Sequence, residues 1–454
     1  MMEPGTANGT LARADLTTWI AAQKRCSTAA IERAISVTHL THRRDAFHQT
    51  IAPARGSVVA STSIGDWNPD PDYFFHWLRD SAIVMRCVAD LIQAATGTEE
   101  RGRWHSHFHD FVRFSLALTK LDGADLAARS HEDRLATRPE FRKFLRGARE
   151  LATLHGDKLL GEPRFNPDGT IDIMRWARPQ YDGVALRALT CLKFLEDGGA
   201  PTPEIAEMLN IDLDFTSRYA GKRCVGPWEE GKGHHYYVAL VQLGALAHGR
   251  RFAGAAASRW LKAETKLRAR LEQHWSKEHE IFVACLPPTP SPAAGQLDAA
   301  LLLAVLDADL PDGPHSANDP RVHKTQSAIE DLFARTLPIN RSRFAGRAPA
   351  LGRYRDDTYF GGGAWYPTTL AAASLYYRRA CSAPAQRAAL IARGDAFMST
   401  VRDLTPASGD LSEQVDRETG RQTSAHNLAW SHAAFVSAAH LRSEALGALG
   451  RERR

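Results

Sequence analysis

Helix-forming stretches follow one another along almost the whole sequence, with few candidate strands between them. Ala, Leu and Arg dominate these stretches, and all three favour the helix. Apolar side chains recur at helical spacing over residues 182–189, and Thr202 before Pro203 is typical of an N-cap followed by the first turn of a helix. The sequence predicts helices over residues 16–35, 74–95, 104–119, 139–154, 182–195, 203–219, 235–249, 251–275, 297–306, 322–336, 365–379, 384–401 and 425–441. This succession predicts an all-α fold.

Several segments between these helices are long and rich in Gly, Pro and aromatic residues. They cover residues 55–73, 161–181, 226–233, 351–363 and 407–423. Loops of this length are uncommon in compact domains unless they build a functional site. Because they recur after roughly every second helix, they predict helical hairpins arranged in a ring, with the functional loops at one end. Two proline-rich segments, residues 286–292 and 311–320, lack such aromatics and are predicted to connect hairpins.

The composition argues against several classes of function. A net charge of +5 over 454 residues is too small to indicate nucleic-acid binding, and no apolar run is long enough to span a membrane. Six cysteines lie far apart without paired spacing, as expected of buried thiols rather than a zinc site or a disulfide framework. The first residues do not form a basic segment followed by an apolar run. The sequence therefore predicts a cytoplasmic protein, or a secreted one if a signal peptide has been removed.

Two short acidic segments indicate the chemistry. Gly-Pro-Trp-Glu-Glu at residues 226–230 contains Glu229 and Glu230, and Leu-Ser-Glu-Gln at residues 411–414 contains Glu413 and Gln414. Two carboxylates that face each other across a glycosidic bond are the minimum needed to hydrolyse it, one as acid and one as base. Taken alone, Glu229 and Glu230 are equally typical of a solvated helix start. The aromatic loops that accompany them favour sugar chemistry.

Side chains suited to holding a sugar occur in the same loops. Tyr73 and Trp77 supply flat apolar faces for pyranose rings, while Arg79 and Asp80 can bind several hydroxyl groups in fixed geometry. Later loops add further candidates, namely Trp176, Arg178, Arg353, Asp357 and Trp365. Two alternatives stay open. Arg79 and Asp80 could form a surface ion pair, and the tryptophans could be core residues.

Two further features suggest metal binding. Asp356 and Asp357 resemble the metal-binding aspartates of all-α prenyl-transfer enzymes, but a second acidic cluster is missing. His234 and His235 are adjacent, and adjacent side chains point in different directions on a helix. Packing or sugar contact is the better interpretation of both histidines. The sequence therefore predicts no metal site and no cofactor.

Taken in order along the chain, these motifs resemble the glucoamylase family of inverting glycoside hydrolases, family 15. The resemblance runs from about residue 16 to about residue 441 and rests on residues 56–61, 68–81, 161–166, 176–183, 226–230, 352–359, 363–366 and 411–414. It implies an (α/α)6 barrel, a six-hairpin toroid in which outer helices surround inner ones, with the active site at one end. Fungal members often carry a starch-binding domain and many prokaryotic relatives an N-terminal β-sandwich. We expect neither here, but a single catalytic domain over residues 1–454.

The resemblance assigns a role to each candidate. Glu229 matches the general acid, Glu413 matches the general base that activates water, and Glu230 matches a sugar-binding carboxylate. The remaining matches are residues beside the water (Tyr73, Gln414), the pair that holds the terminal glucose (Arg79, Asp80) and the walls of the first two subsites (Trp77, Trp176, Arg178, Arg353, Asp357, Trp365). An inverting site needs its two carboxyl groups about 6.5–9.5 Å apart, which we expect here. The acid also has to be protonated, and the neighbouring Glu230 is expected to help by raising its pKa.

The implied activity is exo-acting release of β-D-glucose from the non-reducing ends of α-1,4-glucans or maltooligosaccharides, by a monomer. Residues 231–237 and the pair His426-Asn427 depart from the common family pattern beside the acid and the base. They leave the linkage preference open. The alternatives are hydrolysis of α-1,6-glucans, as by glucodextranase, hydrolysis of trehalose, and a catalytically silent glucan-binding barrel like the related domain of phosphorylase kinase subunits.

Overall fold

The computed structural model describes residues 15–65, 70–253, 258–286, 297–341 and 346–452. Parts of the predicted helix over residues 251–275 and of the proline-rich segment after residue 286 lie outside these ranges. The described helices are α1 (Leu16–Glu32), α2 (Leu78–Ala94), α3 (Thr98–Leu118), α4 (Ala124–Ala136), α5 (Ala148–Leu151), α6 (Asp157–Leu160), α7 (Asp182–Glu196), α8 (Pro203–Arg218), α9 (Tyr236–Ala253), α10 (Ser258–Glu272), α11 (Ala300–Ala308), α12 (Pro320–Thr336), α13 (Tyr366–Ser382), α14 (Arg387–Leu404) and α15 (Ala429–Glu452).

The strands are short. They are β1 (His42–Arg44), β2 (Gln49–Ile51), β3 (His76–Trp77), β4 (Arg164–Phe165), β5 (Cys224–Val225), β6 (Lys232–His235), β7 (Trp275–Ser276), β8 (Ile281–Phe282), β9 (Cys285–Leu286), β10 (Ala364–Trp365), β11 (Gln414–Val415) and β12 (Gln422–Thr423). The ladders nearest the predicted site are antiparallel and join β3 to β4, β6 to both β5 and β9, and β11 to both β10 and β12. Because these strands come from different loops, their pairing ties the loops together.

Six helices form a closed inner ring. In order around the ring they are α2, α7, α9, α11, α13 and α15, and α15 packs against α2 to complete it. The outer helices α3, α8, α10 and α14 each pack against the inner helix that precedes them in the chain, and α1 packs against α15. The helix α12 follows α11 and contacts β8. This arrangement confirms the predicted all-α (α/α)6 barrel.

Burial distinguishes the two layers. On the outer helix α10 the buried residues form one stripe, with Trp260, Ala263, Leu267 and Leu271 at helical spacing. On the inner helix α13 nearly every residue from Tyr366 to Tyr377 is buried, because an inner helix is covered by two neighbours and an outer helix. Where α9 meets α11 the backbones lie so close that a Cβ on Gly244 would be 2.4 Å from the carbonyl oxygen of Ala308.

Two segments differ from the predicted helices. The helix predicted over residues 139–154 is wrong: Pro139–Phe144 forms a 3-10 helix, extended backbone at Leu145 and Gly147 interrupts it, and only Ala148–Leu151 is α-helical. The helix α4 was not predicted, because it buries no residue fully and so lacks the apolar stripe on which the prediction depends. No helix in the described part of the chain is both long and apolar enough to cross a bilayer.

Candidate active site

The candidate residues meet above the N-terminal ends of the inner helices. The strand β3 leads directly into α2, β6 into α9 and β10 into α13, while β11 and β12 precede α15. Their side chains are therefore delivered from loops of distant sequence to the same end of the ring, as the sequence predicts. The two acidic segments, 226–230 and 411–414, lie on two of these loops.

Four donors surround the carboxyl group of Glu229. Its Oε1 accepts hydrogen bonds from Trp77 Nε1 at 3.0 Å, from Gln180 Nε2 at 2.9 Å and from Arg79 Nη2 at 3.4 Å. Its Oε2 accepts one from Trp176 Nε1. The backbone of Glu229 lies in the left-handed region, with φ of 62°, which is uncommon for a residue other than glycine and is often found at functional sites.

Glu413 lies deeper than Glu229. It is 4% exposed, and it accepts hydrogen bonds from Tyr73 at 3.1 Å and from Ser424. The Tyr73 hydroxyl is also 2.7 Å from the hydroxyl of Tyr359. Burial raises the pKa of Glu413 to about 7, although the hydrogen bonds from Ser424 and Tyr73 and the charge of Arg353 oppose the rise. A buried carboxyl group with a pKa near neutrality is suited to exchange a proton with water.

A pair of aromatic rings connects the two carboxyl groups. Tyr73, which binds Glu413, packs against Trp77, which binds Glu229, and the ring centroids are 5.1 Å apart. Trp77 in turn packs edge-on against Trp176, with the centroids 6.2 Å apart. Glu229 and Glu413 are therefore held beside one continuous aromatic wall.

Arg79 and Asp80 are buried, with exposed fractions of 5% and 7%. They are not a surface ion pair. Arg79 donates to Gln180 at 3.1 Å and to Asp182 at 3.2 Å. Burial raises the pKa of Asp80 to about 6, and the Arg79 charge opposes the rise. Arg79 Nε and Asp80 Oδ2 lie 3.4 Å apart as an ion pair, and neither atom makes a hydrogen bond within the described residues.

Arg353 organises the opposite wall. It donates to both oxygens of Asp357 and forms an ion pair with Glu230 at 3.0 Å. Tyr354 donates to Glu230 as well, at 2.7 Å and 2.8 Å. The carboxylate of Glu230 thus interacts with Arg353 and Tyr354, so part of its charge is compensated.

Aromatic rings line this second wall. The Arg353 guanidinium lies 5.5 Å from the ring centre of Trp228, 5.1 Å from that of Tyr359 and 5.3 Å from that of Trp365, within the range of cation–π attraction. Trp365 is only 4% exposed and packs edge-on against Trp228 at 5.3 Å. The alternative that Trp365 is a core residue is therefore partly right, because its ring is packed although it borders the site.

Two predicted residues lie at the margin. Arg178 donates to Glu162 at 2.6 Å and to the backbone oxygen of Trp176 at 3.2 Å, so it supports the Trp176 loop. Gln414 is buried, and its Oε1 accepts a hydrogen bond from the backbone of Gly363 at 3.3 Å. Its Nε2 has no partner within the described ranges. His234 and His235 bind backbone oxygens of Gly221 and Gly231, which is a packing role.

Several residues at the site were not among the predicted set. Gln180, Tyr354 and Tyr359 lie in the aromatic loops that the sequence singles out. Their location in these loops could have identified them. Ser424 comes one residue after the last of those loops. Asp298, which binds the indole nitrogen of Trp228, precedes α11 in a stretch with the pattern of an ordinary helix start. No local pattern identifies it.

A cavity of about 390 Å³ lies along the barrel axis toward the C-terminal ends of α11 and α13. Trp430 borders it and also lies 5.7 Å from the Arg79 guanidinium, so this ring lies between the two ends of the barrel. The charged groups of the cavity are paired with each other: Arg86 and Arg378 bind Asp309, and Lys193 binds Asp90. Both acidic segments and the aromatic loops lie at the N-terminal end, which makes that end the better candidate for an active site.

Comparisons with known proteins agree with this geometry. The sequence matches the family described as glycosyl hydrolases family 15 over residues 44–121, 132–394 and 385–440. Glucoamylase 1 of Rhizopus oryzae is 26% identical over 447 residues, which cover 86% of this chain and 67% of that protein. A probable glucoamylase of Schizosaccharomyces pombe is 24% identical, covering 87% of this chain and 86% of that protein.

Solved structures show the same fold. The glucoamylase of Saccharomycopsis fibuligera superposes with a TM-score of 0.77 at 22% identity, covering 98% of this chain and 99% of that one. The glucoamylase of Hormoconis resinae gives a TM-score of 0.75 at 22% identity, covering 94% of this chain and 74% of that one. The match to the family extends over most of the chain and includes both acidic segments. This protein is therefore a member of glycosyl hydrolase family 15.

Proposed function

We propose that this protein is an exo-acting, inverting α-glucosidase that releases β-D-glucose from the non-reducing ends of α-1,4-glucans or maltooligosaccharides. The observation that carries the proposal is the position of Glu229 and Glu413 beside one aromatic wall, Glu229 at Trp77 and Glu413 at Tyr73. The curated relatives reported above are glucoamylases, which supports an α-glucan as substrate. We further propose that the chain acts as a single catalytic domain and as a monomer.

In this proposal Glu229 protonates the glycosidic oxygen as the bond breaks. Three of its four hydrogen-bond donors are neutral, and the charge of the fourth, Arg79, is shared with Asp80 and Asp182. Glu229 is therefore not surrounded by net positive charge.

Glu413 accepts a proton from the water that attacks the anomeric carbon. The attack comes from the face opposite the leaving group, so an α-glucoside yields β-glucose. Tyr73 and Ser424 bind the two oxygens of Glu413 and fix its orientation toward that water. For the water to fit, the two carboxyl groups have to be about 6.5–9.5 Å apart.

Arg79 and Asp80 bind hydroxyl groups of the terminal glucose, which is supported by their position as an ion pair beside Glu229. Glu230, which is partly exposed, binds the sugar from the other wall together with Arg353. The rest of the bound glucan extends out of the site past Trp176, which is also partly exposed. Glu413 is buried and Glu229 is partly exposed, which fits a site that removes one terminal sugar at a time.

The test is glucose release from maltotriose, isomaltose and trehalose, with the Glu413→Gln protein as the blank. Hydrolysis of maltotriose at the highest kcat/KM supports the proposal. Preference for isomaltose would instead identify an α-1,6-glucan hydrolase, and preference for trehalose a trehalase. Binding of maltose without hydrolysis of any of the three substrates would identify a silent glucan-binding barrel.

A further inference from the structure

We propose that Asp298 is a positioning residue that anchors the indole ring of Trp228 and thereby fixes the orientation of Glu229. The inference rests on the proposed function, in which Glu229 is the general acid. Asp298 lies immediately before α11, outside the loops that carry the sugar-binding candidates, and only 4% of it is exposed. It does not contact Glu229 directly.

The anchoring contact uses both oxygens of the carboxyl group. Trp228 Nε1 lies 2.9 Å from Oδ1 and 2.9 Å from Oδ2 of Asp298. Trp228 is the residue before Glu229, so a rotation of its ring pulls on the backbone that carries the acid. This backbone is the left-handed turn at Glu229, whose N–H donates to Gly226 at 3.0 Å. A strained conformation of this kind persists only when its surroundings hold it.

Asp298 also connects the acid loop to the opposite wall. Its backbone forms an antiparallel bridge with Tyr354, and the next residue, Ala299, donates to the carbonyl oxygen of Arg353 at 2.8 Å. Tyr354 and Arg353 are the residues that bind Glu230. One residue therefore joins the loop of Glu229 and Glu230 to the loop that faces it.

Asp298 also has a local role at the start of α11, which has to be separated from its role as an anchor of Trp228. Its Oδ1 also accepts a hydrogen bond from the backbone N–H of Ala300 at 2.7 Å, at the start of α11. Serine can make the same short bond to the backbone, but its side chain is too short to reach Trp228 as well. Asparagine keeps one oxygen at the position of Oδ1, and its two lone pairs can accept from both Ala300 and Trp228. The pair Asp298→Ser and Asp298→Asn thus distinguishes the helix start from the anchor.

The reaction itself supplies a specific readout. α-D-Glucosyl fluoride has a leaving group that needs little protonation, so its hydrolysis depends on the base but only weakly on the acid. If Asp298 acts by placing the acid, its loss has to slow maltotriose hydrolysis more than fluoride hydrolysis. Damage to the barrel as a whole would slow both substrates together.

The experiment measures kcat and KM of wild type, Asp298→Asn, Asp298→Ser and Trp228→Phe on maltotriose and on α-D-glucosyl fluoride. We expect Asp298→Ser and Trp228→Phe each to lower kcat on maltotriose about 10- to 100-fold, since small misplacement of a catalytic group can cost about 100-fold. We expect KM within about threefold of wild type, a much smaller loss on the fluoride, and near wild-type rates for Asp298→Asn. The double variant Asp298→Ser/Trp228→Phe should be no slower than either single variant, since both remove one contact.

Wild-type kcat on maltotriose in folded Asp298→Ser would overturn the inference, and so would an equal loss on both substrates. A loss in Asp298→Asn as large as in Asp298→Ser would also overturn it, because the anchor would then not be the hydrogen bond. If Asp298→Ser does not fold, Trp228→Phe and Asp298→Asn decide the question. The readout is again the loss of kcat on maltotriose compared with the loss on the fluoride. Failure of the proposed function is seen separately, as absence of hydrolysis by the wild-type protein.

Discussion

Tyr73 and Trp77 pack with their ring centroids 5.1 Å apart, and each donates a hydrogen bond to a different acidic residue. Tyr73 binds Glu413 at 3.1 Å and Trp77 binds Glu229 at 3.0 Å. Side chains four positions apart in one short segment thus hold two carboxyl groups that lie in distant parts of the sequence. This segment, where β3 runs into α2, therefore helps to fix the position of the two carboxyl groups relative to each other.

The two carboxyl groups should differ in their dependence on the leaving group. We expect Glu229→Gln and Glu413→Gln each to lower kcat on maltotriose at least about 10²- to 10⁴-fold, the usual contribution of general acid–base catalysis. On α-D-glucosyl fluoride Glu229→Gln should recover much of its activity, and Glu413→Gln should not. Steady-state kinetics on both substrates check this.

The control for these variants is Glu418→Gln, which changes a largely exposed glutamate near Glu413. It should leave both rates unchanged. Recovery of fluoride hydrolysis by Glu413→Gln instead of Glu229→Gln would show that the two roles are exchanged.

Ser424 should set the acid limb of the pH profile. Its hydrogen bond opposes the rise in the pKa of Glu413 that burial causes. Ser424→Ala removes this bond, so the pKa of Glu413 should rise further above about 7. Because the base works only when ionised, the acid limb of kcat/KM should move to higher pH. A pH–rate series on maltotriose measures the shift.

The matched control is Ser408→Ala, since Ser408 is exposed on the loop that leads to Glu413. Its acid limb should coincide with that of wild type. An acid limb of Ser424→Ala that stays in place, or moves to lower pH, contradicts the assignment of Glu413 as base.

Arg79→Lys should weaken use of the substrate although it keeps the charge. Lysine lacks the planar fork that lets Arg79 bind Gln180, Asp182 and a ligand together. A charge-assisted hydrogen bond contributes about 1.5–3 kcal/mol, so we expect kcat/KM on maltotriose to fall about 10- to 100-fold. Arg113→Lys, an exposed arginine in α3, is the control. Equal kinetics for the two variants would remove Arg79 from the sugar site.

Two glycine substitutions should change stability in opposite directions. At Gly244 an added Cβ would lie 2.4 Å from the Ala308 carbonyl oxygen, so Gly244→Ala should lower the free energy of unfolding by about 1–3 kcal/mol through overpacking of α9 on α11. Gly102 is exposed in α3, and a Cβ there meets nothing within 4 Å. Gly102→Ala should raise the free energy of unfolding by about 0.5–1 kcal/mol. Urea unfolding measures both, and a Gly244→Ala protein as stable as wild type would show that the inner helices can separate without cost.

Much of this fold could be predicted from sequence because both layers consist of long stretches of strong helix formers. The motif resemblance also selected Glu229, Glu413 and their neighbours. It could not select Asp298, because the contact with Trp228 arises only when α11 closes the ring beside the acid loop. The prediction of a helix over residues 139–154 was wrong for a related reason. Its helical propensity was overridden at Leu145 and Gly147, where Leu145 pairs with Met174 in an isolated bridge.

The most direct test of the central claim, that Glu229 and Glu413 act as acid and base from opposite faces of the sugar, is the anomeric form of the first product. Proton NMR of fresh maltotriose with the wild-type protein should show β-glucose first, with α-glucose appearing only later through mutarotation. Initial formation of α-glucose would contradict the account, because it would require a retaining mechanism and a different arrangement of the two carboxyl groups.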